Sequence, residues 1–360
     1  MNSRTLIIAE AGVNHNGDEH LALELVRQAH AAGADIVKFQ TFKAAEIVTQ
    51  DAAQARYQSE NIGKQESQFA MLQRLELSYE CHRRLLQECQ QLGVEFLSTA
   101  FDEQSLSFLI NDLGLQRLKI PSGELTNAPL LLKHAQTGCD LIVSTGMATL
   151  GEVEQALSVI AYGLTHPDSE SPQEGDFAKA YASERGQQCL RDKVTLLHCT
   201  TEYPAPLDEI NLGAMDSMKQ AFHLPVGYSD HSAGWLVPVA AVAKGATIIE
   251  KHFTLDCNLP GPDHKASLEP KELQQMIRYI RQSEQALGHG VKMPTASEIN
   301  NKAAARKSLV AAEEIPAGAP FTQCNLAVKR PGTGMSPHLY WRLLNCNASQ
   351  NYKPGDLINE

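Results

Sequence analysis

The stretch Leu6–Gln40, which reads LIIAEAGVNHNGDEHLALELVRQAHAAGADIVKFQ, decides the fold class. An apolar run at Leu6–Glu10 is followed by a helical pattern over Leu21–Ala32 and by a second apolar run at Ile36–Gln40. Apolar runs that alternate with helical patterns are typical of strands joined by crossover helices in a parallel sheet. The stretch therefore predicts one strand–helix–strand unit of an α/β protein.

The same alternation continues along the chain and predicts eight such units. Further strands are predicted at Glu95–Thr99, Arg117–Ile120, Leu141–Ser144, Val194–His198, Val226–Ser229 and Thr247–His252, and the last helix at Pro270–Leu287. Eight strands, each followed by a helix, are what a TIM (β/α)8 barrel requires. A doubly wound open sheet is the competing fold, but no Gly-x-Gly-x-x-Gly turn follows the first strand.

Changes in composition predict the domain boundaries. We expect the barrel over residues 1–288, a polar linker over 289–307 and a small β-rich module over 308–360, where Pro and Gly are frequent. A second polar segment, Thr165–Asp192, precedes the sixth strand. We expect a mobile surface loop there, without a chemical role.

Charge and cysteine usage exclude several classes of function. The 360 residues carry a net charge of −11, which disfavours binding to nucleic acid. No apolar run approaches the roughly 20 residues that span a bilayer, so we expect no membrane partner. The eight cysteines form no Cys-x-x-Cys pair, and the sequence therefore predicts a reduced, cytoplasmic protein.

Polar residues interrupt every predicted strand at its carboxyl end, where TIM barrels carry their active sites. They include Glu10, Lys38, Gln40, Thr99, Lys119, Ser122, Glu124, Ser144, Tyr203, Ser229, His231, Glu250 and His252. A lone Ser or Thr in such a position is usually a helix cap or a satisfied core group. Polar groups at all strand ends, with two lysines among them, favour a functional site.

The two lysines, Lys38 and Lys119, leave two chemistries open. One is a Schiff base, which needs an amine of lowered pKa. The other is a clamp for a phosphate and a carboxylate, to which neighbouring serines would contribute. The residues alone do not decide between them.

The two histidines, His231 and His252, end neighbouring strands, and their rings could converge on one divalent ion such as Mn²⁺. The alternative is a pair of structural histidines bonded to loop carbonyls. Glu250 lies two residues before His252, hence on the same face of the strand. It could be a third ligand of the ion or a group that orients a ligand.

Several segments, taken together and in order, resemble the N-acylneuraminate (sialic acid) synthase family. They are IIAEAGVNHNGD (Ile7–Asp18), GADIVKFQTF (Gly33–Phe42), LKIPSGELTN (Leu118–Asn127), STGMATLGEV (Ser144–Val153), GYSDHSAG (Gly227–Gly234), EKHFTLD (Glu250–Asp256) and GPDHKASLEP (Gly261–Pro270). RKSLVA (Arg306–Ala311) and KRPGTGMSP (Lys329–Pro337) resemble the antifreeze-like (SAF) module of these synthases.

The resemblance implies an enzyme that condenses phosphoenolpyruvate with an N-acyl hexosamine, with a divalent metal as cofactor. Mn²⁺ is favoured, and Mg²⁺ and Co²⁺ are the alternatives. It further implies a domain-swapped homodimer in which the module covers the partner's active site. The implied roles are metal binding by His231 and His252, phosphoenolpyruvate binding by Lys38, Thr99, Lys119, Ser122, Ser144 and Ser229, sugar binding by Glu10, Gln40, Tyr203 and Asp263, and contact of Arg330 with the N-acyl group in the neighbouring subunit.

One departure from the family pattern bears on the substrate. Where many N-acetylneuraminate synthases carry Asn-Ile-Tyr, this chain has Thr201-Glu202-Tyr203, and HCTTEYPAP (His198–Pro206) is more similar to legionaminic acid synthases. We therefore favour 2,4-diacetamido-2,4,6-trideoxymannose over N-acetylmannosamine as the acceptor. Glu124 is the candidate base for water addition, with the alternative that it orients Lys119 or Lys38.

Three other classes of function remain as alternatives. A pseudaminic acid synthase or an eight-carbon ulosonate phosphate synthase would use a different sugar, although the C-terminal module argues against the second. A Schiff-base aldolase would form a covalent lysine adduct. A non-catalytic sugar-binding barrel would need no metal.

Overall fold

A computed structural model describes residues 4–169 and 171–360. The chain divides into two compact units, Met1–His289 and Gly290–Glu360. In the first unit the strands are β1 (Leu6–Gly12), β2 (Ile36–Thr41), β3 (Glu95–Ala100), β4 (Arg117–Ile120), β5 (Asp140–Ser144), β6 (Val194–His198), β7 (Val226–Asp230) and β8 (Ile248–His252). They close into one parallel barrel in chain order, which confirms the predicted TIM barrel.

Helices surround the barrel and follow its strands. They are α1 (Glu19–Ala32), α2 (Ala44–Ile47), α3 (Arg56–Ile62), α4 (Gln68–Leu75), α5 (Tyr79–Leu92), α6 (Glu103–Ser107), α7 (Ala128–Gln136), α8 (Leu150–Thr165), α9 (Asp176–Ala182), α10 (Glu184–Lys193), α11 (Gly213–Phe222), α12 (Leu236–Ala243) and α13 (Pro270–Leu287). Helix α1 begins where the Asp18 side chain accepts hydrogen bonds from the first backbone N–H groups, and it ends at Gly33, whose φ is 91°. No helix in the described residues is long and apolar enough to cross a membrane.

The barrel interior has two layers, because side chains two residues apart on a strand point the same way. The lower layer is aliphatic: Ile8, Ile36, Leu97, Ile142, Leu197 and Ile248. In the same layer β7 contributes Gly227. A larger residue does not fit there, because an added Cβ would lie 2.5 Å from the backbone oxygen of Ile248. The next inward positions carry Glu10, Lys38, Thr99, Lys119, Ser144, Ser229 and Glu250. The apolar layer thus supports a polar layer at the carboxyl ends of the strands.

The prediction of a mobile surface loop over Thr165–Asp192 is wrong. Apart from Glu170, which lies outside the described residues, the segment folds largely into α9 and α10. The Ser183 hydroxyl caps α10 by accepting a hydrogen bond of 2.9 Å from the Gly186 N–H. Phe177 and Leu190 join the apolar core around the barrel. The segment is mostly polar, so its few apolar residues were not recognised as core residues in the sequence. Their packing against the core accounts for the two helices.

The second unit contains the antiparallel strands β9 (Ser308–Ala311) and β10 (Leu326–Lys329) and the helices α14 (Ala296–Ala305) and α15 (Tyr340–Leu343). Its own apolar core includes Leu309, Phe321 and Ile358. The predicted linker over 289–307 therefore contains a helix, α14, which a capping box of Thr295 and Glu298 begins. The similarity of this unit to an antifreeze-like module stays a prediction.

A fully buried ion pair joins β7 to β8 on the face that points away from the cavity floor. Lys251 Nζ lies 2.6 Å from Asp230 Oδ2, and both side chains are 0% exposed. Asp230 and Lys251 are register partners, and each directly precedes a predicted metal-binding histidine. The pair thus holds the two strand ends that carry His231 and His252.

We predict that Lys251→Met lowers the free energy of unfolding by about 3–5 kcal/mol, because it leaves the Asp230 carboxylate buried and unpaired. The matched control is Lys244→Met, which removes a similar pair of 2.7 Å to Asp216 at the surface. That change should cost less than about 1 kcal/mol, since water solvates both groups. Urea unfolding followed by circular dichroism measures both values, and equal losses would contradict the prediction.

Candidate active site

A cavity of about 440 Å³ lies at the carboxyl ends of the barrel strands. Strand ends and the loops after them contribute its floor, as expected for a TIM barrel. The predicted site residues of the barrel all line it: Glu10, Lys38, Gln40, Thr99, Lys119, Ser122, Glu124, Ser144, Tyr203, Ser229, His231, His252 and Asp263. The structure therefore brings these residues together in one place.

Four buried charged side chains meet on the cavity floor. Lys38 Nζ lies 2.7 Å from Glu10 Oε2 and 3.5 Å from Glu250 Oε2. Lys119 Nζ lies 3.5 Å from Glu250 Oε1. Because an isolated buried charge costs several kcal/mol, the two lysines and two carboxylates need one another to be buried at all.

The pKa values of the four groups in this cluster are shifted from their usual values, two of them upwards and two downwards. Burial raises the pKa of Glu10 to about 7, although Lys38 opposes this effect. Burial would also raise the pKa of Glu250, but Lys119 and Lys38 together outweigh it and lower that pKa to about 2. Burial lowers the pKa of Lys119, whereas Glu10 and Glu250 outweigh burial at Lys38 and raise its pKa. Within this cluster Glu250 and Lys38 therefore stay charged, and Glu10 is the carboxyl of the cluster that can exchange a proton near neutral pH.

Two of the predicted hydroxyl groups are bonded to this charge cluster. Thr99 Oγ1 accepts a hydrogen bond of 3.3 Å from Lys38 Nζ. Ser229 Oγ donates a hydrogen bond of 2.9 Å to Glu250 Oε1. Both hydroxyls fix the direction of a charged group and leave one hydrogen-bonding position of their own for a ligand.

Two other hydroxyls, at the ends of β5 and β6, are free to bind a ligand, and a third, after β4, is bonded within the protein. Ser144 Oγ and Thr201 Oγ1 are buried and have no hydrogen-bond partner in the part of the chain that the structure describes. Ser122 Oγ accepts a hydrogen bond of 2.9 Å from the Gly146 N–H. Burying a hydroxyl without a partner costs free energy, which a bound anion would recover. This side of the cavity is thus suited to an oxygen-rich anion such as phosphate.

The two histidines are close and neutral. Their ring centroids lie 5.4 Å apart. His231 Nδ1 lies 2.6 Å from the Thr200 carbonyl oxygen, so Nδ1 donates and Nε2 keeps a free lone pair. His252 Nδ1 is buried without a hydrogen-bond partner among the described residues. Burial lowers the pKa of His231 to about 4 and that of His252 well below its usual value, so both rings are in the form that binds metals.

These two nitrogen donors fit a divalent ion that takes its remaining ligands from water or substrate oxygens. No group of three or more His, Cys, Asp or Glu within residues 4–169 and 171–360 is arranged to hold a metal ion. The interpretation of Glu250 as a third ligand is therefore wrong. Its carboxylate instead contacts Lys38, Lys119 and Ser229.

Aromatic rings flank the histidine pair. The Tyr203 ring lies 4.1 Å from the His231 ring and 4.9 Å from the Tyr57 ring, measured between centroids. Asp263 Oδ2 lies 3.9 Å from His252 Nδ1, and burial raises the pKa of Asp263 to about 6. This corner offers an apolar ring face beside a carboxyl group, a combination suited to a sugar.

Glu124 lines the cavity but takes no part in the charge cluster, and Arg330 belongs to the second unit. Glu124 Oε2 accepts a hydrogen bond of 2.7 Å from Asn127 Nδ2, and Asn127 caps α7. The alternative that Glu124 orients a lysine is not what the structure shows, because both lysines pair with Glu10 or Glu250. Arg330 lies in the second unit, where its Nε donates a hydrogen bond to the Ala305 carbonyl.

One wall of the cavity, which comes from the connection between β2 and β3, was not predicted from the sequence. Tyr57, Gln68 and Met71 lie there together with further apolar residues. The one signal in the sequence that could have indicated this wall is the length of the connection. Residues 42–94 are far more than an ordinary loop and helix need. Apart from that length, an amphipathic helix such as α4 looks the same in sequence whether it packs on a core or lines a cavity.

Known proteins support the predicted family. The family model described as the NeuB family matches residues 25–292. N,N'-diacetyllegionaminic acid synthase from Campylobacter jejuni is 48% identical over 99% of each chain, and the synthase of that name from Legionella pneumophila is 45% identical over 98% of this chain and 92% of the relative. The solved structure of N-acetylneuraminic acid synthetase from Leptospira borgpetersenii is 33% identical, with a TM-score of 0.67 over 83% of this chain and 90% of that one. The chain therefore belongs to the NeuB family, which confirms the resemblance to sialic acid synthases that its sequence motifs show.

Proposed function

We propose that this protein condenses phosphoenolpyruvate with 2,4-diacetamido-2,4,6-trideoxymannose and water, giving a nine-carbon legionaminic acid and phosphate. The observation that carries this proposal is the buried cluster of Lys38, Lys119, Glu10 and Glu250 beside the His231–His252 pair. Cations and free hydroxyls suit the anionic donor, and neutral imidazoles suit a metal that binds the acceptor's carbonyl oxygen. The two legionaminic acid synthases at 48% and 45% identity support the choice of sugar.

Phosphoenolpyruvate would lie between the lysines and the free hydroxyls. Lys38 and Lys119 attract its carboxylate and phosphate, and Ser144 Oγ is free to donate a hydrogen bond to an anion oxygen. Ser122 and Thr99 complete the set of donors, and Ser229, whose hydroxyl donates to Glu250, keeps that carboxylate in position beside the anion. Because the cluster balances its own charges, an incoming anion is met by lysines that are already fixed in position.

The fixed cation at Lys38 disfavours Schiff-base chemistry. A Schiff base requires a neutral amine as nucleophile. Two carboxylates hold Lys38 in its charged form, and Lys119 has one of them, Glu250, as its partner. The role of an anion clamp therefore accounts for Lys38. Burial lowers the pKa of Lys119, so trapping with borohydride is the test that separates a clamp from a Schiff base at that residue.

The acceptor would lie on the side of the histidines. A divalent ion, with Mn²⁺ favoured, would be held by His231 and His252 and would polarise the acceptor's aldehyde group. The Thr200 carbonyl orients the His231 ring for this role. Tyr203, Gln40 and Asp263 would contact the hydroxyl groups of the open-chain sugar.

In the reaction, C3 of phosphoenolpyruvate forms a bond to the aldehyde carbon, and the aldehyde oxygen gains a proton. Water then bonds to the electron-poor C2 and loses one proton, which gives a tetrahedral C2 that carries a hydroxyl and the phosphate. The hydroxyl loses its proton and forms the keto group as the bond between C2 and the phosphate oxygen breaks, and the electron pair leaves with phosphate, which can take up the proton. We propose Glu10 rather than Glu124 as the base that accepts the proton from the attacking water. Glu10 is buried in the charge cluster with its pKa raised to about 7, whereas the Glu124 carboxylate is bonded to a helix cap.

The assembled active site would require a second subunit. We propose a homodimer in which Arg330 of one chain reaches the N-acyl group bound in the other. Arg330 is exposed in the second unit, and its guanidinium carries a fixed positive charge. Dilution below the dimer dissociation constant should then reduce activity together with the mass measured by light scattering.

The proposed reaction predicts which acceptor releases phosphate from phosphoenolpyruvate faster. With Mn²⁺ present, we expect faster release with the diacetamido sugar than with N-acetylmannosamine, and loss of release after treatment with EDTA. Faster release with N-acetylmannosamine would contradict the proposed sugar. No release with either sugar would contradict the proposed reaction, and trapping of a lysine by borohydride in the presence of pyruvate would establish the aldolase instead.

The role of Glu10 predicts a difference between two matched variants. Glu10→Gln should lower kcat by about 100-fold or more, because general acid–base catalysis contributes 10²–10⁴-fold. Glu124→Gln, which also lines the cavity, should lower kcat less than about 3-fold. In the native enzyme kcat/KM should fall as the pH drops below about 7, where Glu10 becomes protonated. Equal losses in the two variants, with phosphoenolpyruvate binding retained in both, would contradict this assignment.

A further inference from the structure

One wall of the active-site cavity is apolar and comes from helix α4. Gln68, Met71, Leu72 and Leu75 all line the cavity. Their spacing of three and four residues places them on one face of the helix. This face presents one amide group followed by three apolar side chains.

The wall has an apolar core of its own. Val13, Phe42, Met71 and Leu75 are buried together, and Leu72 packs against them. This cluster is separate from the large core between the barrel and its outer helices. The apolar face of α4 is therefore held by a cluster that joins it to the residues directly after β1 and β2.

Polar contacts fix the segment that carries the wall. Glu76, directly after α4, accepts a hydrogen bond of 2.7 Å from the Ala44 N–H through Oε1, and its Oε2 lies 3.3 Å from Lys43 Nζ. Asn61 Nδ2 donates a hydrogen bond of 2.7 Å to the Pro262 carbonyl, next to Asp263. These contacts join the segment to the residues directly after β2 and to the loop after β8.

Gln68 is the polar group of this wall that has no other function in the fold. Its backbone N–H donates to the Ala52 carbonyl, but its side-chain amide makes no hydrogen bond within the described residues. Gln58 lines the same cavity and differs in this respect. Its Oε1 accepts a hydrogen bond of 2.9 Å from the Ala55 N–H at the start of α3.

An acetamido group matches this combination of side chains. It consists of a methyl group and a planar amide with one donor and one acceptor. A glutamine amide supplies the complementary acceptor and donor, and Met71 and Leu72 suit the methyl group. A sugar with a hydroxyl in this position would place a polar group against apolar surface, at a cost in binding.

We propose that the α4 face, Gln68, Met71, Leu72 and Leu75, binds the second acetamido group of the acceptor and selects the diacetamido sugar over N-acetylmannosamine. The inference rests on the proposed function, whose acceptor it explains. It assigns acceptor specificity to the connection between β2 and β3, apart from the floor on which the bonds change.

The test compares kcat/KM for the two sugars in the native enzyme, Gln68→Met and Leu72→Gln. The quantity compared is the specificity ratio, which is kcat/KM for the diacetamido sugar divided by kcat/KM for N-acetylmannosamine. Methionine matches glutamine in length but lacks its amide. Gln68→Met should therefore lower the specificity ratio by about 10-fold, mainly through a higher KM for the diacetamido sugar. Leu72→Gln should lower the same ratio, since it makes the methyl site polar. The KM for phosphoenolpyruvate should stay within about 2-fold in both.

The matched control is Gln58→Met, which removes the hydrogen bond at the start of α3 and leaves the α4 face intact. It should leave the ratio between the sugars unchanged even if it loosens the segment. A ratio that neither Gln68→Met nor Leu72→Gln lowers would overturn the inference, as would an equal fall in all three variants. A native enzyme that prefers N-acetylmannosamine would instead contradict the proposed function, so the two failures are distinguishable.

Discussion

The requirement that buried charges be paired governs the whole active site. Lys38 lies between Glu10 and Glu250, and Lys119 contacts Glu250, inside a barrel whose next layer is aliphatic. None of these four groups could be buried in ionised form alone, because removing a charge from water costs several kcal/mol. The relative positions of β1, β2, β4 and β8 are therefore tied to one another by this cluster as well as by backbone hydrogen bonds.

Strands β7 and β8 use their other face to position the two histidines that we propose as metal ligands. Side chains alternate along a strand, so Ser229 and His231 face the cavity while Asp230 between them faces away, and Lys251 does so on β8. The Asp230–Lys251 pair is fully buried, and so it fixes the strand ends without contacting the substrates. Charge pairing on both faces gives the floor a rigidity that hydroxyl groups alone would not provide.

The sequence predicted the barrel and its floor well, because both depend on local patterns. Each strand is a short apolar run whose period of two puts a polar residue at its carboxyl end, and barrel closure then brings those ends together. The ion-pair partner of Glu250 was not predictable, because in the sequence Glu250 lies near His252. Only the three-dimensional structure shows that its carboxylate contacts Lys38 and Lys119. The face of α4 escaped notice because its amphipathic pattern is equally typical of a helix that packs on a core.

The division between floor and wall explains how one reaction can be kept while the acceptor changes. A substitution at Lys38 or Glu250 leaves a buried charge without its partner, which destabilises the fold as well as the site. A substitution at Gln68 changes only what the cavity contacts, because its side chain belongs neither to the charge cluster nor to the apolar cluster beside α4. The connection between β2 and β3 also lies outside the barrel's hydrogen-bond ladder, so its length and sequence can vary without affecting closure. Acceptor specificity is thus free to change where the fold is least constrained, while the bond-forming groups stay fixed where it is most constrained.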